Sequence, residues 1–97
     1  MKVIRSNNAV DKFDSITKKM VSFSPDKTSK FVDEVFNRVE GLAAFPDKGR
    51  KIPEAKNKNI RKLIYKNHRV VYYINRLDNI VTILTILHTS QKFPELD

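Results

Sequence analysis

The spacing of apolar residues changes period once along this chain, just beyond Gly49. Before that point hydrophobic side chains recur every three or four residues, and after it β-branched and aromatic residues crowd into short runs. Helices therefore come first and strands second, and the two must cover one another as layers around a shared core. A chain of 97 residues has room for one such core, so residues 1–97 are read as a single domain.

Over residues 8–21, Ala9, Phe13, Ile16 and Met20 fall four, three and four apart, which puts them on one stripe of an amphipathic helix. Ser24-Pro25-Asp26 then supplies an N-cap hydroxyl, a proline for the first helical position and an acid near the positive end of the helix dipole. A second helix is expected from there, with Phe31, Val32, Val35, Phe36, Val39 and Leu42 as its stripe. The connection, about residues 22–24, is short enough to fold the pair into an antiparallel hairpin. Pro46 stops the second helix at or before Phe45.

Residues 60–66, 69–76 and 80–88 read as three consecutive antiparallel strands. Lys66-Asn67 and Asp78-Asn79 can supply the positive φ angles of tight turns between them. The last run is apolar on both faces and belongs in a covered position, and a short opening strand, Lys2 to Arg5, joins the sheet. The expected architecture is α+β: an N-terminal antiparallel helical hairpin on one face of a curved, mostly antiparallel sheet of three to four strands. Alternation turns Val70, Tyr72 and Ile74 toward the helices and Arg69, Val71 and Tyr73 away from them.

Charge is as unevenly distributed as period. The net charge is +8, yet the 29 residues from Lys48 to Arg76 hold ten Lys and Arg against a single acid, Glu54. The remainder carries nine basic and ten acidic side chains. Such a localised basic face steers and holds a polyanion, whether nucleic acid or an acidic protein surface. Without cysteine there are no disulfides or thiolate metal sites, and His68 and His88 alone cannot hold a metal, so neither metal nor cofactor is expected. No apolar run is long enough for a signal peptide or a membrane span, which points to a cytoplasmic protein with no membrane partner. Glycine-rich phosphate loops, HExxH, GxSxG and helix-turn-helix signatures are all missing.

One constellation has the residue types for metal-free RNA cleavage. Attack of a 2′-hydroxyl on the adjacent phosphate needs a base, a cation for developing charge and an acid for the leaving oxygen. Glu54 offers the first, Arg61 or Arg69 the second and His88 the third. Substrate contacts would come from Lys51, Lys56, Lys58, Lys62 and Tyr73, with Lys92 and Phe93 following His88. The same residues also admit a structural account: Glu54 as charge balance in a basic loop, Tyr73 as cover for the sheet, and His88 as a strand-end side chain.

Gly49-Arg50 followed by Pro53-Glu54, the strand pair from Arg61 through His68-Arg69-Val70-Val71-Tyr72, and the closing Ile86-Leu87-His88 leading to Phe93-Pro94 occur in an order that resembles the RelE/ParE superfamily of toxins from bacterial type II toxin–antitoxin modules. The resemblance spans nearly the whole chain. It implies a cognate antitoxin whose acidic segment wraps the toxin and covers the basic groove. RelE-like and YoeB-like members cleave mRNA in the ribosomal A site. In the YoeB-like branch, catalysis uses a Glu after a proline, an Arg in a His-Arg-hydrophobic-hydrophobic-Tyr strand and a His near the C-terminus. Glu54, Arg69 and His88 match those positions, and their joint presence puts ribosome-dependent cleavage first. YoeB-like chains end in His-Tyr, whereas Thr89 follows His88 here. ParE-like members instead inhibit DNA gyrase by protein–protein binding, and their final strand ends much as residues 86–94 do. In that branch His88 shapes a surface and residues 91–96 contribute to the contact.

Overall fold

A computed structural model describes residues 1–91. Its elements are β1 (Lys2–Arg5), α1 (Asn7–Phe23), α2 (Pro25–Glu40), β2 (Arg50–Lys51), β3 (Ile60–Tyr65), β4 (His68–Asn75) and β5 (Ile80–His88). Two 3₁₀ turns, Gly41–Ala43 and Pro46–Lys48, lie between α2 and β2.

Serines at the helix ends set the hairpin. The Ser6 hydroxyl accepts from the Ala9 N–H at 3.1 Å and donates to the Leu84 carbonyl at 2.8 Å, so one side chain caps α1 and fastens it to β5. Ser24 alone separates α1 from α2, tighter than the expected connection. Its N–H donates to the Met20 carbonyl at 2.9 Å, closing α1, while its hydroxyl accepts from the Lys27 N–H at 3.3 Å, opening α2 behind Pro25. Phe13 then stacks on Phe31 with centroids 5.9 Å apart and meets Phe36 edge-on at 5.6 Å, joining the two apolar stripes. The second helix ends at Glu40, and Pro46 opens the second 3₁₀ turn.

The sheet order is β1-β5-β4-β3-β2. Pairing is antiparallel throughout except that β1 runs parallel to β5, with Lys2 opposite Ile80 and Arg5 opposite Ile83. Five strands are found where three to four were expected, because Arg50–Lys51 adds a two-residue edge to β3. Lys66 and Asn79 take positive φ angles of 51° and 59° in the two turns that join the antiparallel strands. With β1 on its outer edge, β5 is interior to the sheet, as its apolar character required.

A bulge in β5 decides which way its last residues face. Val71 pairs with Thr85 but Tyr72 pairs with Ile83, leaving Leu84 as the extra residue. Unbroken alternation would put Ile83 and Ile86 on opposite faces. The bulge puts both among the residues packed under the helices, with Leu63, Val70, Tyr72, Ile74 and Val81. A second, smaller cluster of Ile52, Ile60, Val71 and Leu87 forms on the other face. Among the described residues, no helix is long and apolar enough to cross a membrane.

Candidate functional site

The face of the sheet away from the helices is built by register. Arg50 sits opposite Lys62, Lys62 opposite Val71 and Val71 opposite Thr85, so this row crosses four strands on one side. The next row is Ile64, Arg69 and Leu87. Three cations, Arg50, Lys62 and Arg69, thus surround an apolar floor with Tyr73 at its margin, as alternation along β4 predicted. Residues 52–59 arch over this floor: Ile52 is buried in it and Ala55 packs against it. Glu54, Lys56 and Lys58 are exposed on the arch. Arg69 donates from Nη2 to the Gln91 carbonyl, which ties the end of the described chain to this face.

The entry to the arch is held by a latch. Tyr72, fully buried on the helix side of β4, accepts from the Gly49 N–H at 2.9 Å and donates to the Pro46 carbonyl at 2.6 Å. Burial raises the Tyr72 phenol above its ordinary value, so it stays a donor. Only glycine fits beside it, since a Cβ at Gly49 would stand 2.8 Å from the Lys62 carbonyl and from the tyrosine ring. Arg61 belongs to this latch. It donates to the Gly49 carbonyl at 3.0 Å and pairs with Asp47 at 3.3 Å, and Arg76 pairs with the same carboxylate at 2.6 Å. The Arg76 hydrogen bond, aided by the charges of Arg76, Arg61 and Lys51, holds the Asp47 carboxyl below the usual range. Two of the ten cations in the basic stretch are therefore matched by an acid one residue upstream of it.

His88 lies on the opposite side of the sheet. It pairs directly with His68 across β4 and β5, their rings edge to face at 5.4 Å, and His68 in turn meets Phe31 of α2 at 5.0 Å. Burial, with a smaller contribution from His88, holds His68 below the ordinary imidazole range. The Ser90 N–H donates to Nδ1 of His88 at 3.1 Å, and the Ser90 hydroxyl contacts the same nitrogen at 2.7 Å. A ring nitrogen that accepts from a backbone N–H carries no proton, so the proton of neutral His88 sits on Nε2.

The residues read from the sequence therefore divide. Lys62, Arg69 and Tyr73 share the open face, and Glu54, Lys56 and Lys58 lie on its arch. Arg61 is occupied in the latch, with Lys51 beside Asp47. His88 is beyond the sheet. Lys92 and Phe93 fall outside the described residues. Sequence reasoning missed Asp47 and the bulge. Asp47 had a visible signal, a lone acid immediately before the basic run, whereas Leu84-Thr85 has none. Among the described residues, no three His, Cys, Asp or Glu side chains gather to hold a metal.

The sequence model of the family described as "ParE toxin of type II toxin-antitoxin system, parDE" matches residues 3–93. No match is found among curated proteins. Two solved structures are similar in fold. One, described as the chromosomal ParDE TA system from P. aeruginosa, aligns with a TM-score of 0.74 and 19% identity, over 93% of this chain and 97% of that one. The other, from the toxin–antitoxin complex RelBE2 of Mycobacterium tuberculosis, gives a TM-score of 0.60 and 15% identity, over 93% and 92%.

Proposed function

The chain belongs to the ParE toxin family of type II toxin–antitoxin systems, and from that premise we propose that it arrests growth in the cytoplasm by binding DNA gyrase, without hydrolytic chemistry. The observation that carries this reading is the separation of Arg69 from His88 by the sheet. A cation and an acid that act on one phosphate must reach it together. Arg61 cannot stand in for Arg69 without leaving Gly49 and Asp47, and the Ser90 N–H takes one nitrogen of His88 out of proton transfer. The open basic face serves a second partner in this proposal. An acidic antitoxin segment would lie across Arg50, Lys62 and Arg69, held there by charge complementarity.

Cleavage of mRNA on the ribosome is the second reading, favoured by one observation: the Glu54 loop, Lys62 and Arg69 lie on the same side of the sheet. It would have to proceed without His88. Growth arrest in a bacterial host, followed by primer extension on a translated message, separates the two. The gyrase reading expects arrest with messages intact, and cuts within codons would replace it by the nuclease.

A further inference from the structure

The chain has two histidines, and the sheet sets them directly opposite each other, His68 at the start of β4 and His88 at the end of β5. Their ring centroids are 5.4 Å apart. Two imidazoles that share one tetrahedral zinc ion, each through a nitrogen at the usual bond length, have centroids about 5 Å apart. Strand register therefore already supplies the spacing that a shared metal needs. A metal lies in the plane of each imidazole that binds it, and ring planes inclined at 85° meet along one line where it can satisfy both.

Both rings line an open cleft of about 750 Å³ between α1 and the end of β5, so a metal can reach them from solvent. The lowered pKa of His68 favours its neutral form, which is the form that ligates. His88 offers Nε2, because its Nδ1 faces Ser90. A ligating imidazole carries its proton on the other ring nitrogen, where a neighbouring group accepts it. The Ser90 hydroxyl, 2.7 Å from Nδ1, is placed to accept that proton. Metal binding would thus switch the tautomer of His88, with the Ser90 hydroxyl taking over from the Ser90 N–H as the partner of Nδ1.

We propose that His68 and His88 together bind a divalent transition metal of the zinc or copper class, with the remaining coordination positions open toward the cleft. Among the described residues no third His, Cys, Asp or Glu joins them, so water completes the shell. Two ligands make no closed structural site, but a pair held in fixed register chelates as an open one. Lys12 and Lys19 line the same cleft and oppose any cation held by charge alone. Imidazole donation must then supply the binding, which selects zinc or copper over magnesium and calcium, whose ligands are oxygens. The bound metal would clip the end of β5 to the start of β4, next to Arg69 and its contact with Gln91. The site is separate from the open basic face, and the proposal does not rest on which target the toxin arrests.

Zinc titration of the intact chain, made without a polyhistidine tag, tests it by calorimetry and by long-range ¹H–¹⁵N correlation spectra above the imidazole pKa. One Zn²⁺ is expected per chain, moving the His88 proton from Nε2 to Nδ1, whereas Mg²⁺ should leave both rings unchanged. His88 is exposed, so His88→Ala should keep the fold, as circular dichroism will check. It is expected to weaken zinc binding by about a hundredfold, since a chelating pair becomes a single ligand. His68→Phe, which keeps a ring against Phe31, should do the same. Ser90→Ala removes the acceptor of the displaced proton and should weaken binding by about tenfold. Absent zinc binding, binding by His88→Ala within about threefold of the wild type, or bound zinc with Nε2 of His88 still protonated would each overturn the proposal.

Discussion

Arg69 and His88 stand on neighbouring strands but point from opposite faces of the sheet, because the extra residue Leu84 turns the end of β5 over. His88 consequently joins His68 and the helices, and Arg69 stays with Lys62 and the apolar floor. One bulge thus parts His88 from Glu54 and Arg69, three residues that look like a catalytic set in the linear sequence.

The tautomer of His88 follows from its Ser90 contacts. With a backbone N–H donating to Nδ1, the neutral ring carries its proton on Nε2. Long-range ¹H–¹⁵N correlation spectra above the imidazole pKa should show a protonated Nε2 and a bare Nδ1. Protonated Nδ1 would mean that the ring donates to the Ser90 hydroxyl and does not accept from the Ser90 N–H.

Tyr72→Phe is expected to loosen the arch without unfolding the sheet. It leaves the buried Gly49 N–H and the Pro46 carbonyl without the hydroxyl they share, at a cost of about 1–3 kcal/mol. Urea denaturation gives the loss, and limited proteolysis should show residues 46–59 cut sooner than in the wild type. An unchanged urea midpoint would show that the latch carries no stability.

His68 sets a pH dependence with a definite sign. Its folded-state pKa lies below the ordinary 6.5, so as pH falls the unfolded chain takes up this proton first. The His68 contribution is therefore fully present above about pH 6.5 and is progressively lost on acidification toward the lower folded-state value. His68→Phe keeps a ring against Phe31 and should flatten the slope of unfolding free energy between about pH 7 and pH 5. An identical slope in the variant would contradict this assignment.

Those structural assignments show what could be read from the sequence. Ser24-Pro25-Asp26 marked the hairpin because caps act within one turn, and period-two alternation gave the faces of Val70 through Tyr73 because β4 is regular. The positive φ angles of Lys66 and Asn79 fell in the expected turns for the same local reason. Features joining distant segments were not legible. The Arg50–Lys51 strand is defined by its partner across the ladder, and the pairing of Asp47 with Arg61 and Arg76 is made only after the sheet forms. The bulge was the costliest omission, since one unannounced residue at Leu84 reverses the side on which His88 is found.

The open face should be required for neutralisation. Lys62→Ala/Arg69→Ala removes two of its cations, and antitoxin affinity in a pull-down or calorimetric titration is expected to fall by about tenfold, with a shallower dependence on salt. Unchanged affinity would move the antitoxin to another surface.

The central claim, growth arrest by binding gyrase and not by cutting RNA, is tested most directly by titrating purified DNA gyrase with the wild-type chain and with Glu54→Ala in a supercoiling assay. The account predicts that both inhibit supercoiling with the same concentration dependence, since it gives the exposed arch residue Glu54 no chemical role. Normal supercoiling at saturating wild-type toxin would contradict it.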